Sequence, residues 1–265
     1  MIEIIIPTKG KLDYLFKCLD RIKIHTTVPY QVNVADTGST SEELGEIKKF
    51  LKFHFKKYKN ANLFVYDYYN FAAINNDVVR NTNGSRLVFC NNDVFLENDC
   101  IGRMNHVMET YKDSDIRVGT VGCRLLYPDG LVQHAGQFAF VRNNGTLEVT
   151  HRGIGQKENY PSLDPVMGNT GALMMSERKT FEEIGCFNEN YTECFEDVEY
   201  NMKCLLDGYI NFYLDDAEAI HAESATRTKS WEALRKVTYD YDNTLRPYWR
   251  SLSPEQQAKI LGYPR

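Results

Sequence analysis

The residues with the most chemical character in this chain are polar groups that end apolar runs. Arg86-Leu87-Val88-Phe89-Cys90 is a run of β-formers that stops abruptly in Asn91-Asn92-Asp93. A buried strand that ends this way carries three oxygen-bearing side chains to the edge of a sheet. Oxygen donors placed there suit a hard cation such as Mg²⁺ or Mn²⁺. Taken alone, the same triplet also reads as an ordinary polar turn. Pro7-Thr8 and Asp36 stand at the ends of two further apolar runs. Glu196-Asp197 opens a helical run, where acids are favoured electrostatically whether or not they do chemistry.

These groups can act together only if the elements that carry them converge. Residues 2–6 are almost continuously apolar, the pattern of a strand buried on both faces. Leu12, Leu15, Phe16, Leu19 and Ile22 then recur at helical spacing over 11–26. A second strand over 30–35 is followed by a helix over 41–58 with the stripe Leu44, Ile47, Leu51, Phe55 and Tyr58. Its many lysines read as a solvated face. A strand over 63–66, a helix over 71–80 and the strand 86–90 complete a β-α-β-α-β-α-β order. That order predicts a doubly wound α/β sheet with right-handed crossovers. Ligands of such sheets bind beyond the carboxyl ends of the strands, so Thr8, Asp36 and Asp93 are expected in one crevice.

The second half reads differently. A helix is expected over 97–111, a strand over 118–125, and a hairpin followed by a long loop over 131–165. A strand over 167–175 carries Gly168 and Gly171, which let its backbone approach a ligand. Short helices over 177–184 and 196–206 precede strand pieces at 209–214 and 219–220, which end at His221. Residues 230–265 read as helical and carry Trp231 and Trp249. The division expected is one α/β domain over 1–225 and a helical extension over 226–265, packed on the domain or on a second copy.

Composition narrows the classes. The 265 residues are 43% hydrophobic and 25% charged, with net charge −5. A globular chain with no basic surplus speaks against nucleic acid as a partner. No apolar run approaches the roughly 20 residues of a membrane-spanning helix. Met1 runs directly into the first strand without a basic leader or cleavage site. The seven cysteines show no Cys-x-x-Cys pair and read as reduced thiols. Together these predict a cytoplasmic protein, with a peripheral membrane position left open.

Across roughly residues 1–250 the motifs resemble the family 2 glycosyltransferases. Ile4-Ile5-Ile6-Pro7-Thr8 is similar to that family's first strand, and Asp36-Thr37-Gly38-Ser39-Thr40 to its Asp-x-Gly-Ser-Thr turn. Asn91-Asn92-Asp93 stands where its Asp-x-Asp sits. Asp129-Gly130-Leu131-Val132-Gln133-His134-Ala135-Gly136 resembles a branch that builds bacterial surface polysaccharide, including rhamnosyl-type transferases. Gly168-Asn169-Thr170-Gly171-Ala172, Phe195-Glu196-Asp197-Val198-Glu199 and the run from His221 to Arg227 are similar to the donor, catalytic and closing segments.

The resemblance implies a GT-A fold and transfer of a sugar, with inversion, from a nucleotide diphosphate to an acceptor hydroxyl. A UDP-sugar is the favoured donor. Mn²⁺ or Mg²⁺ would sit on the diphosphate, held by Asp93 with His221 as second ligand; imidazole tilts the preference towards Mn²⁺. Asp197 is the implied general base and Glu196 the runner-up. Pro7, Thr8, Asp36, Asn76, Arg80 and Asn92 are implied around the nucleotide, Gly171 against the donor sugar, and Gln133 and His134 on the acceptor side. The chain departs from the family in having Asn-Asn-Asp for Asp-x-Asp, which predicts metal binding that leans on the donor. It also lacks the Gln-x-x-Arg-Trp of processive synthases. A lapsed nucleotide-sugar-binding domain and a sugar nucleotidyltransferase are the competing readings. The second would need a glycine-rich phosphate loop where only Pro7-Thr8-Lys9-Gly10 stands.

Overall fold

The computed structural model describes residues 1–55, 60–222 and 231–263. In chain order the first half is β1 (Ile2–Thr8), α1 (Leu12–His25), β2 (Tyr30–Asp36), α2 (Ser41–His54), β3 (Ala61–Val65), α3 (Phe71–Arg80) and β4 (Arg86–Cys90). It continues with β5 (Val94–Leu96), α4 (Cys100–Tyr111), β6 (Val118–Leu126), β7 (Val132–His134), β8 (Gln137–Val141), β9 (Leu147–His151) and β10 (Asp164–Val166). The last elements are β11 (Leu173–Glu177), α5 (Arg178–Glu183), α6 (Glu196–Leu206), β12 (Ile210–His221), α7 (Trp231–Asp240), α8 (Arg246–Ser251) and α9 (Pro254–Leu261); a π turn over Tyr241–Leu245 joins α7 to α8.

The main sheet runs β10-β12-β6-β11-β4-β1-β2-β3, with β5 on β12 and β7 on β6. β1, β2, β3 and β4 are parallel, as the alternating order requires. β11 is antiparallel to both β4 and β6. All seven residues of β1 are buried because alternate side chains enter two different cores. Ile2, Ile4 and Ile6 pack with α1, α2 and α4 on one face, and Ile5 packs with α3, α5 and α6 on the other. Each such isoleucine contributes about 1.5–3 kcal/mol over an exposed one. The large hydrophobic payload at the centre of the sheet therefore fixes where β1 and β4 end, and with them the cleft.

Three differences from the sequence reading bear on the site. The strand expected over 167–175 begins only at Leu173. Residues 168–172 form a turn because Asn169 is pinned by side-chain bonds: its amide donates to Thr120 Oγ1 and the Phe212 carbonyl, both at 3.0 Å. A Cβ at Gly168 would lie 2.6 Å from that of Asn201, so only glycine admits this approach to α6. The strand pieces after 209 are one strand, β12, with a register irregularity between Leu214 and Glu218. The helix expected from 97 begins at Cys100, where the Asp99 carboxylate accepts from Gly102 N at 2.9 Å. Residues 56–58 of the expected second helix lie outside the described residues.

The helices α8 and α9 pack on α6 and on the β8–β9 hairpin through Trp249, Leu245 and Ile260. Trp249 is 5% exposed, whereas Trp231 on α7 is 82% exposed. Among the described residues, no helix is long and apolar enough to cross a membrane.

Candidate active site

A cleft of about 750 Å³ opens at the carboxyl ends of β1 and β4. Pro7, Thr8, Asn92, Asp93, Gly171, Glu196, Asp197 and His221 all line it.

Sheet register builds one wall. β4 ends at Cys90, the chain turns through Asn91–Asp93, and β5 then pairs antiparallel with the end of β12, setting Val94 opposite His221. Ala222 N donates to the Asp93 carbonyl at 3.0 Å, which locks the crossing. The result is His221 Nε2 at 3.2 Å from Asp93 Oδ1, both residues being buried. On the far side of the ring Nδ1 lies 2.7 Å from Gln133 Oε1. A carbonyl oxygen accepts only, so Nδ1 carries the proton and donates to Gln133. Nε2 faces the Asp93 carboxylate and lies 3.4 Å from Asn91 Nδ2.

A proton on Nε2, the Asn91 Nδ2 that lies 3.4 Å from it, or a bound cation can each satisfy this pair, which lines the cleft. One carboxylate and one oriented imidazole fit a divalent ion of the Mn²⁺ type, with Gln133 as the outer partner that fixes the ring. Among the described residues, no group of three His, Cys, Asp or Glu side chains could hold a metal. Two protein donors suit an ion that keeps several waters and takes its remaining oxygens from phosphate.

Asn92 Nδ2 donates to Thr8 Oγ1 at 2.9 Å, tying the end of β4 to the end of β1. Lys9, Tyr69 and Phe71 also line the cleft.

The start of α6 also lines the cleft. Asp197 Oδ2 accepts from Gly171 N at 2.8 Å and from Gln137 Nε2 at 3.5 Å, while Oδ1 accepts from Val198 N at 2.7 Å. Behind it lies a buried amide network. Asn201 Nδ2 donates to the carbonyls of Asp197 (2.7 Å) and Asn169 (2.8 Å). Asn201 Oδ1 accepts from Thr120 Oγ1 at 2.7 Å and from Asn169 N at 3.2 Å. Each polar atom so buried would be costly unpaired. The network therefore holds the Gly168–Gly171 turn and the first turn of α6 in one arrangement.

Three of the residues expected at the nucleotide are not in the lining of this cleft. Asp36 is fully buried and bonds its own turn, accepting from Gly38 N (3.2 Å), Ser39 N (3.1 Å) and Ser39 Oγ. Asn76 is turned away from the cleft, its amide donating to the Phe187 carbonyl and Glu189 Oε1, both at 2.9 Å. The exposed guanidinium of Arg80 lies 3.5 Å from both Asp77 and Glu189. None of these three lines the cleft. His134, expected on the acceptor side, is 1% exposed and packs edge-on to His151, which does line the cleft. Burial pushes the His134 imidazole well below its usual range, and His151 adds to the shift. Gln133 holds the His221 ring; no local signal reveals this, because its partner lies far along the chain. Residues 223–227 of the closing motif lie outside the described residues.

Comparison with known proteins places the chain in a family and a fold. Residues 3–185 match the family Glycosyl transferase family 2. An uncharacterized protein of Sinorhizobium fredii, y4gI, is 29% identical over the whole chain, and the O-antigen biosynthesis protein RfbC of Myxococcus xanthus is 26% identical over 85% of it. The chain spans only 30% and 18% of those two relatives. The mannosyltransferase PcManGT of Pyrobaculum calidifontis, solved with GDP-Man and Mn²⁺, superposes with TM-score 0.65 at 16% identity, over 98% of this chain and 68% of that one. TarS of S. aureus, solved with UDP-GlcNAc, superposes at 0.57 with 14% identity, over 98% of this chain and 78% of that one. The expected GT-A fold is thus met by structures that share it. With the family match running over residues 3–185, well over half of the chain, the chain belongs to glycosyl transferase family 2.

Proposed function

We propose that this chain transfers a sugar, with inversion, from a nucleotide diphosphate to an acceptor hydroxyl, and that Asp197 is the general base. The observation that carries the reading is the separation of roles across one cleft. The Asp93–His221 pair and the Asp197 carboxylate line the same cleft on different elements. A divalent ion held by Asp93 and His221 would supply Lewis-acid stabilisation of the departing diphosphate. Asp197 would accept the acceptor's proton on the opposite face of the sugar. Its bonds from Gly171 N and Val198 N hold the carboxylate in place with no donor of its own to rearrange. Glu196, its neighbour in the lining, is the runner-up for that role.

Pro7, Thr8 and Asn92 would wall the nucleotide, with Asp36 acting by fixing the turn after β2. Asn76 and Arg80 take no part in this reading. UDP is the favoured nucleotide, and bacterial surface polysaccharide is the pathway class suggested by the RfbC relative. Calorimetric titration of UDP, GDP and dTDP, each with and without Mn²⁺, tests the metal and the nucleotide together. Metal-dependent binding of UDP above the others is expected. Equal binding in EDTA would remove Asp93 and His221 from the metal role.

A further inference from the structure

The loop that delivers Asp197 is held from outside its own segment. Residues 192–195 lead into α6, and Phe195 at their end has φ +78°, a conformation that residues with a side chain avoid. Phe195 also gives the helix no side-chain cap. The Asn201 and Asn169 bonds hold the first turn of α6 from behind, but the loop that enters it needs support of its own.

The support comes from Asp240 at the end of α7, which is 0% exposed. Its Oδ1 accepts from Thr192 N at 3.0 Å and Thr192 Oγ1 at 2.9 Å. Its Oδ2 accepts from Thr192 N at 3.1 Å, Glu193 N at 2.7 Å and Cys194 N at 3.1 Å. Three consecutive backbone amides thus converge on one buried carboxylate, the concave arrangement in which backbone dipoles bind an anion. A carboxylate is buried this deeply only when its hydrogen bonds are made. Glu193, Cys194 and Phe195 line the cleft together with Asp197. The helix that carries Asp240 lines it as well, through Glu232 and Lys236. The chain therefore leaves the metal-side wall at His221 and returns to the base-side wall at Asp240.

We propose that Asp240 is the positioning residue for Asp197: it anchors residues 192–194 and so sets where the first turn of α6 presents the base. The inference rests on the reading of Asp197 as base. It also implies that α7, which lies beyond residues 3–185 that match the family, is part of the catalytic apparatus.

The test uses Asp240→Asn in the full chain, which preserves shape but removes the charge and points an N–H₂ at the loop amides. Turnover should fall on the order of 10- to 100-fold, the scale of a misplaced catalytic group. The affinity for UDP and Mn²⁺ should stay within about twofold, while the amides of 192–194 lose protection from hydrogen exchange and the rest of α6 keeps it. Wild-type turnover in the folded variant overturns the proposal. So does a loss of nucleotide affinity that matches the loss of turnover, which would signal general damage. If Asp240→Asn does not fold, Thr192→Val removes only the hydroxyl bond and should show the same split on a smaller scale; unchanged turnover there overturns the proposal equally. Failure of the base assignment would look different. Asp197→Asn would then retain activity, whereas the exchange result for 192–194 would still report whether Asp240 holds the loop.

Discussion

The two walls of the cleft are held by different physics. On the metal side, position follows from strand register: β5 against β12 brings His221 to Asp93, and ladder hydrogen bonds do most of the holding. On the base side, no strand carries Asp197. It sits on a helix entry held by side-chain bonds from Gln137, Asn201 and Asp240, and by a turn that Asn169 keeps in place. Register is set by many weak bonds at once and is hard to disturb at a single position. A polar clamp depends on a few groups, so single substitutions should move it. Metal-side changes should therefore appear in nucleotide affinity, and base-side changes in turnover.

The largest effect expected is on the base side. Asp197→Asn should lower turnover by about 10²–10⁴-fold with donor affinity kept; steady-state transfer alongside calorimetry reads both, and wild-type turnover would remove Asp197 from the role. Next comes Gln133→Leu, which frees the His221 ring without touching either metal donor. Metal affinity should fall about 10- to 100-fold, measured by Mn²⁺ titration in the presence of UDP. An unchanged affinity would mean that register alone orients the ring.

A smaller effect, on stability, is expected from Asn201→Ala. It takes the acceptor from Thr120 Oγ1 and Asn169 N and the side-chain donor from the Asn169 carbonyl, at a cost of about 1–3 kcal/mol for each buried group left unsatisfied. Urea unfolding measures the loss, and turnover should fall more than nucleotide affinity. If both fall together, the two walls are not separable.

The smallest effect concerns pH. His134 is held neutral by burial. The unfolded chain takes up that proton near the usual histidine value of about 6.5, while the folded chain resists it to lower pH. The stability linked to His134 is therefore complete above about pH 6.5 and declines as pH falls towards the depressed folded value. In His134→Gln this decline should flatten, as melting temperature against pH will show; an identical slope would assign the acid sensitivity to other groups.

Much of the metal-side strand was legible because its signals are local. The apolar run 86–90 and the polar stop at Asn91-Asn92-Asp93 lie next to each other in the chain, and α3 and α6 match their expected spans. The β5–β12 crossing was not legible, because a three-residue strand such as Val94–Leu96 carries too short a pattern to announce its partner. Asn76 and Arg80 were expected near the ligand from their place on the helix before β4, and a place in the chain does not tell what a helix face meets. The fold turns Asn76 onto Phe187 and leaves Arg80 beside Asp77 and Glu189. Asp240 had no signal at all: an acid at a helix end looks the same whether it meets solvent or three loop amides.

The amino-acid sequence by itself determined the alternating elements, the doubly wound order, and the polar stops at the ends of β1, β2 and β4. All of these follow from hydrophobic periodicity, which acts within a few residues. Only the tertiary structure decided which stops face one cleft, that His221 meets Asp93, and that Asp240 reaches back to the loop before Asp197. Those contacts depend on register and on helix packing angles, which the whole core sets and no single segment encodes.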